Sequence, residues 1–395
     1  MKKILFVTSL YNPHVGGIET MIRELSKRYQ DLGFEVSVLT KKWPKELCNY
    51  EKIDNVSVYR VISAKSESEF VDLIEYIKTI ENELKSDIVH VLGVRRPLPL
   101  IGLMLARKWS VPVLMTVAGG DIPDPVDVNP GIVWNQGAEL IPDSMSQADL
   151  VNTVSNYLSM QTRDLFPNIK QVTTLYAGIN VSEIKKIQPK DISEKFVFSL
   201  RRLDPSKGVH ILIGAFNMIK DLFPELYLVI AGDGEEKNNL LQLAEDLDLQ
   251  GRVRFVGTVS LSEGIAFLKS AEFTVVPSIS EGGGLVNVEA QAAGCPVIAS
   301  RVGGIPEYLK DGVSGLLFNC GDVNELANHM RMLLTDNVLR KKLIENGYVH
   351  ADKFDWDNLV PNYIDLYKNL IVKGHKKEFI PWSQSVEKLW LKLIS

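Results

Sequence analysis

Pro277-Ser278-Ile279-Ser280-Glu281-Gly282-Gly283-Gly284-Leu285-Val286-Asn287-Val288-Glu289-Ala290 follows a short apolar run and opens a helical one. A strand that passes through consecutive glycines into a helix brings bare backbone close to a ligand without Cβ interference. The start of such a helix presents unpaired N–H groups and partial positive charge, a setting that suits phosphate. Glu281 lies in the loop and Glu289 two turns into the helix. Carboxylates repel phosphate and are good acceptors for hydroxyls, so sugar is their natural partner. The competing reading is a plain strand-to-helix turn with a solvated Glu281.

Outward from this segment, short apolar runs alternate with amphipathic ones. Strands are expected at residues 4–8, 35–40, 56–61, 88–92, 113–117 and 150–154, with helices at 19–32, 69–84 and near 99–108. The stretch 183–190 is charged and contains Pro189, which reads as a linker. Beyond it the alternation restarts, with strands at 196–200, 226–231, 253–255, 273–276, 297–299 and 315–318. The pattern predicts an α/β protein of two Rossmann-like, doubly wound parallel-sheet domains, 1–182 and 190–375, facing a central cleft. The tail 376–395 carries Val386, Leu389, Trp390, Leu393 and Ile394 at helical spacing after Pro381-Trp382-Ser383. It reads as a helix returning to the first domain, the alternative being a peripheral membrane helix with Lys388 and Lys392 as its basic residues.

Two other turns carry chemistry. Ser199-Leu200-Arg201-Arg202-Leu203-Asp204-Pro205-Ser206-Lys207-Gly208 follows the first strand of the second domain. Its cations suit a diphosphate, Arg with a planar fork and Lys with a point charge; taken alone it is equally a basic surface turn. Tyr11-Asn12-Pro13-His14-Val15-Gly16-Gly17-Ile18-Glu19 sits at the first strand–helix turn. Its Gly16–Gly17 pair permits close approach of a phosphate or sugar, but lacks the G-x-G-x-x-G spacing of a nicotinamide site. His14 has no partner nearby in sequence and reads as a turn residue.

Bulk properties narrow the field. A chain of 395 residues with 45% apolar and 24% charged residues is an ordinary globular composition for two or three domains. The formal net charge of −5 argues against a nucleic-acid partner. Cys48, Cys295 and Cys320 lack metal-ligand spacing and fit a reducing cytosol. The apolar run after Lys3 stops at Thr8, too short for a signal peptide, and no run reaches the ~18 residues of a membrane span.

The chain resembles family 4 of the retaining glycosyltransferases of GT-B fold (group 1 glycosyl transferases), nearly end to end. The likeness rests on Pro13-x-x-Gly16-Gly17-x-Glu19, Arg202-Leu203 with Lys207-Gly208, Ala231-Gly232-Asp233-Gly234-Glu235, Gly303-Gly304-Ile305-Pro306-Glu307, and Glu281 with Glu289, seven residues lying between them. The resemblance implies transfer of a hexose-type sugar from a UDP or GDP sugar to a glycan, lipid-linked or small-molecule acceptor. It implies retention, no metal and no cofactor beyond the nucleotide-sugar co-substrate. It assigns Arg202 and Lys207 to the diphosphate and Glu281 to donor-sugar hydroxyls. Backbone around Gly283, Gly284, Leu285 and Val286 falls to the phosphate, Glu289 to the ribose, and Gly16 and Gly17 to close approach of the donor. The expected setting is cytoplasmic polysaccharide biosynthesis, with the inner face of the membrane as the alternative.

The sequence departs from the family pattern at Thr116-Val117-Ala118-Gly119-Gly120-Asp121, where Ala118 stands in place of the usual histidine. Asp121 keeps the following acid and is a candidate for sugar or acceptor. Gly283 replaces a frequent aromatic, and Tyr176-Ala177-Gly178-Ile179-Asn180 alters the usual Asn-Gly-x-Asp. Two rival functions stay open: a nucleotide-sugar epimerase on the same scaffold, and a non-enzymatic nucleotide-sugar binder motivated by Ala118.

Overall fold

The computed structural model describes all residues except 1, 15, 63, 65–66, 95–97, 120, 122–139, 170, 375–377 and 382. They form two compact units: residues 2–121, 140–176 and 359–395 make the first, and 177–358 the second.

The first unit is built on β1 (Lys3–Thr8), β2 (Glu35–Lys41), β3 (Tyr50–Ile53), β4 (Val56–Val61), β5 (Ile88–Leu92), β6 (Val113–Val117), β7 (Leu150–Thr153) and β8 (Val172–Thr174). Their order in the sheet is β3-β4-β2-β1-β5-β6-β7-β8. Pairing is parallel except for the β3–β4 hairpin. Every residue of β5 and β6 is buried, as helices on both faces of a parallel sheet require. The order reverses between β1 and β5, so the loops after these strands lie at a topological switch point.

The second unit carries β9 (Phe196–Leu200), β10 (Tyr227–Ala231), β11 (Val253–Gly257), β12 (Phe273–Val276), β13 (Val297–Ser300) and β14 (Leu316–Phe318), all parallel, in the order β11-β10-β9-β12-β13-β14. Phe216, Ile230, Phe273 and Ile298 are among its fully buried core side chains. Here the reversal falls between β9 and β12. The basic turn follows β9 and the glycine loop follows β12, so the two segments that sequence alone singled out flank one switch point.

Three expectations are corrected. The charged stretch 183–190 is not a free linker. Val181–Lys186 is a helix capped by Asn180, whose side chain accepts from Glu183 N–H at 3.0 Å. Val181 and Ile184, three apart on one face, are buried, and Lys269 Nζ donates to the carbonyls of Lys185 and Ile187 at 3.1 and 2.6 Å. The second unit therefore begins at Ala177, before the expected boundary.

The chain also returns to the first unit at Leu359, not at 376. The reason is the helix Trp356–Lys373, whose Tyr363 and Tyr367 are wholly buried. Tyr363 donates to the carbonyls of Leu175 and Tyr176, and Tyr367 Oη meets His90 Nδ1 at 2.5 Å. Burial pushes the His90 pKa down to about 3, so the ring is neutral, and its Nε2 meets Thr116 Oγ1 at 2.7 Å. The final helix, Gln384–Ile394, starts at Ser383, whose hydroxyl caps it, and packs on the helices Glu67–Thr79 and Leu98–Trp109. Trp382 lies outside the described residues.

The third correction concerns edge strands. β3 and β8 were not expected from sequence. Asp54 and Asn55 both adopt positive φ between β3 and β4, which makes a tight two-residue hairpin turn.

Candidate active site

In the second unit the two switch-point loops are bonded to each other. Ser206 carbonyl oxygen accepts from the N–H groups of Ile279 and Ser280 at 2.8 and 3.3 Å. Glycines let further loops close against them. Gly232 approaches Arg201 so closely that a Cβ would collide with the Arg201 carbonyl oxygen, and its φ of 139° is one that side-chain-bearing residues avoid. Gly303 stands in the same relation to the carbonyl of Glu281, with φ 53°. The Ala231–Glu235 and Gly303–Glu307 motifs thus fix the backbone beneath the charged residues.

Within this frame Glu281 is a shared acceptor. Arg201 Nη2 donates to its Oε2 at 2.7 Å and Lys207 Nζ to the same oxygen at 3.2 Å, with Ser278 Oγ at 3.5 Å. Arg201 Nη2 also donates to Ser278 Oγ. Burial pushes the Glu281 carboxyl up, but Lys207 and Arg201 outweigh it and bring its pKa to about 2. Glu281 is therefore ionised throughout the working range. Glu289 behaves oppositely. It is half-buried, its carboxyl makes no hydrogen bond among the described residues, and burial raises its pKa to about 7 against the opposing charge of Arg201. An unpartnered carboxyl in this state is a costly arrangement unless a ligand completes it.

The helix Leu285–Ala292 begins at Gly284, which has no side chain to cap the first turn. Gly284 has φ 149°, and its carbonyl accepts from Asn287 N–H and Nδ2. Gly283 runs past the ring of Tyr308, and Leu285 and Val286 supply the first-turn N–H groups. Lys207, Glu281, Gly283, Gly284, Leu285 and Val286 are thus brought to one switch point, with Glu289 on the same helix. Arg202 is not drawn in: its side chain is 78% exposed and pairs with Asp204 at 3.5 Å. The buried cation is its neighbour Arg201, for which no role was expected and which residue type alone does not distinguish from Arg202.

In the first unit, Gly16 is the N-cap of the helix Gly17–Asp31. His14 does have a partner: its Nδ1 lies 3.2 Å from Glu19 Oε1 on the first turn. A cavity of about 40 Å³ opens there, lined among others by Tyr11, His14, Glu19 and Arg23. Asp121 is 3% exposed and accepts from Ala118 N–H at 2.8 Å through Oδ2. Ala118 is half-buried, and Gly120 lies outside the described residues. A larger cavity of about 370 Å³, lined by Lys185, Lys269 and Tyr348, lies at the C-terminal end of the Leu285–Ala292 helix, away from the switch-point loops.

Residues 15–183 match the model of glycosyltransferase family 4, and residues 180–350 that of glycosyl transferases group 1. The chain belongs to the family 4 glycosyltransferases. It is 29% identical over 372 residues to an uncharacterized glycosyltransferase of Methanocaldococcus jannaschii, covering 93% of this chain and 98% of the relative. A D-inositol 3-phosphate glycosyltransferase of Thermobifida fusca is 28% identical over 90% of this chain and 89% of its own length. The N-acetyl-alpha-D-glucosaminyl L-malate synthase of Bacillus anthracis is 27% identical over 91% and 95%. Among solved structures, sucrose-phosphate synthase from Thermosynechococcus elongatus superposes with TM-score 0.81 at 21% identity, over 94% of this chain and all of that one. Anabaena HepE in complex with UDP gives 0.73 at 21% identity, over 93% and 100%. These structural likenesses speak to fold, and the fold of this glycosyltransferase is GT-B. Among the described residues, no helix is long and apolar enough to cross a membrane.

Proposed function

We propose that this glycosyltransferase moves a hexose-type sugar from a UDP or GDP sugar to a hydroxyl of a glycan, lipid-linked or small-molecule acceptor, with retention and without a metal. One observation carries the reading: Lys207 and Arg201 converge on a single oxygen of Glu281 beside an uncapped helix start, at a topological switch point. The HepE structures with UDP and UDP-glucose support the donor class, and the relatives named for inositol phosphate and malate support a small hydroxylic acceptor.

In this reading Lys207, with Arg202 reaching in from solvent, neutralises the diphosphate. The Leu285–Ala292 N-terminus adds N–H groups from Gly284, Leu285 and Val286. Negative charge grows on the diphosphate as its bond to the sugar breaks, so these groups act more strongly in the transition state than in the ground state. Glu281 accepts from sugar hydroxyls and Glu289 from the ribose. Gly16 and Gly17 allow close approach of the donor, and Asp121 serves sugar or acceptor. Cationic side chains at the diphosphate do the electrostatic work that a bridging metal does elsewhere.

Calorimetry with UDP and GDP, then a panel of their sugars with and without acceptors in strong chelator, tests the reading. Binding of one nucleoside diphosphate, and chelator-resistant transfer, are expected. No binding of either, or activity that vanishes in chelator and returns with manganese, would overturn it. Incubation with donor alone separates transfer from epimerisation.

A further inference from the structure

Nothing in the sequence separates Arg201 from Arg202, but the structure does. The Arg201 side chain is 5% exposed and that of Arg202 78%. Arg201 is anchored at both ends of the loop it serves, to Ser278 Oγ and to Glu281 Oε2. Ser278 is itself fully buried and tied through its carbonyl to Ser300 Oγ. Lys207 reaches the same Oε2. Every hydrogen bond to the Glu281 carboxylate among the described residues therefore falls on Oε2, and Oε1 is left open.

That asymmetry matters once a donor arrives. On the reading proposed above, on which this inference rests, Lys207 must turn to the diphosphate. If Lys207 were the only cation at Glu281, a partly buried carboxylate would lose its compensation just as another anion approached. We infer that Arg201 is a positioning residue for sugar recognition: it retains Oε2 of Glu281 when Lys207 is committed to the diphosphate, and so keeps Oε1 available to the sugar hydroxyls. Two further facts agree. Desolvation raises the Glu281 pKa while Lys207 and Arg201 lower it, so one lowering charge persists when the other is diverted. Arg201 is also the charge that opposes the rise at Glu289, so one buried guanidinium biases both carboxyls toward ionisation. A buried Arg201 Nε without a partner marks a side chain held in place for its charge at some cost in hydrogen bonding.

The test reads Glu281 itself. Carbon-13 NMR of glutamate carboxyls, with Glu281 assigned through Glu281→Gln, is followed between about pH 8 and 5 with and without saturating UDP or GDP, whichever binds. In the wild type the Glu281 signal should stay flat in both states. In Arg201→Met it should stay near flat without nucleotide, where Lys207 still pairs, and titrate once nucleotide is bound; Arg201→Lys should restore the flat profile. Nucleotide affinity of Arg201→Met should stay within about threefold of wild type, because the inferred role is toward sugar. A Glu281 signal that remains flat in nucleotide-bound Arg201→Met overturns the inference. So does a loss of nucleotide affinity as large as that of Lys207→Ala, which would make Arg201 a diphosphate ligand. If the wild type binds neither nucleotide, the proposed function has failed, a result distinct from both. Should Arg201→Met not fold, Arg201→Gln, which keeps a donor for Ser278 and removes the charge, takes its place with the same expected titration.

Discussion

At the switch point between β9 and β12, Arg201 and Lys207 converge on one oxygen of Glu281, and Glu289 carries a carboxyl with no hydrogen bond among the described residues. At the one between β1 and β5, Glu19 is paired with His14, and Asp121, which follows the neighbouring β6 and lies against Gly93 beyond β5, is buried and turned onto the Ala118 N–H. Both sheets have the same reversal of strand order, yet one loop pair keeps charge in reserve and the other uses its acids to fasten local structure. The doubly wound scaffold supplies the place; the balance of buried charge decides what the place can hold. Substitutions of the charged groups in the second unit should therefore act on nucleotide binding, and those of Asp121 in the first should spare it.

The largest effect is expected at Lys207. Lys207→Ala should lower affinity for nucleoside diphosphate, and transfer with it, by about 100-fold, or about 2.7 kcal/mol. Arg202→Ala should cost about tenfold, because an exposed arginine must be ordered before it contributes. Asp121→Asn, the matching change in the first unit, should leave nucleotide affinity within about threefold. Isothermal calorimetry on the three variants decides the matter, and an Asp121→Asn loss equal to that of Lys207→Ala would dissolve the contrast between the loops.

The next effect divides the two glutamates. Glu289→Ala should weaken free nucleoside diphosphate and sugar donor alike, by about tenfold, since ribose is common to both. Glu281→Ala should leave free nucleotide nearly unaffected and impair use of the sugar donor. A reversed pattern in the same calorimetry would exchange the two roles.

Glu289 also makes a stability prediction. Its folded pKa is raised, to about 7 from a reference of 4.5. A raised pKa favours the folded state fully below the unfolded value, and that contribution is lost as pH rises through the folded one. Between those limits the wild type should lose stability relative to Glu289→Gln, which does not titrate. Glu289→Gln should therefore raise Tm by roughly 2–4 °C at pH 8, where the carboxylate is charged, and much less at pH 5. Thermal melts at the two pH values test the sign. A gain that is equal at both would show that the Glu289 carboxyl is not held at a cost.

Much of this was legible in the residues. Strands Ile88–Leu92, Val113–Val117, Phe196–Leu200 and Phe273–Val276 fall where apolar runs put them, because strands buried on both faces read as continuous hydrophobic segments. β8 and β3, at the two edges of the first sheet, did not, since no residue of either strand is fully buried and neither prints an apolar run. The helix Val181–Lys186 was hidden because its charges outnumber the two buried residues that dock it. At the site, Lys207, Glu281 and Glu289 could be found from residue type and spacing. Arg201 could not, because which of two adjacent arginines turns inward depends on the path of the loop after β9, which is set by Gly232 and Asp233 contacts distant in sequence.

The smallest effect should come from Ala118, the position where the family pattern has a histidine. If the missing ring were the only thing separating this chain from full activity, Ala118→His would raise the rate by the ~100- to 10,000-fold typical of a general acid or base. The surroundings argue for less. Ala118 N–H is fixed by Asp121 Oδ2 at 2.8 Å, and Asp121 N–H returns to the Ala118 carbonyl at 3.1 Å, so the turn is already closed on itself without any side chain at 118. In the second unit, Lys207, Arg201, Glu281 and Glu289 are all present and electrostatically arranged, so the groups assigned to the donor do not depend on residue 118. A new imidazole would enter a half-buried position shaped for a methyl group and would have to find its orientation there. Ala118→His should therefore change steady-state transfer on the native donor and acceptor by less than about threefold in either direction. Rates of the two proteins measured side by side, once the acceptor is identified, give the answer. A wild type inert with every donor and acceptor, made active by Ala118→His, would mean that the first unit and not the second limits what this chain can do.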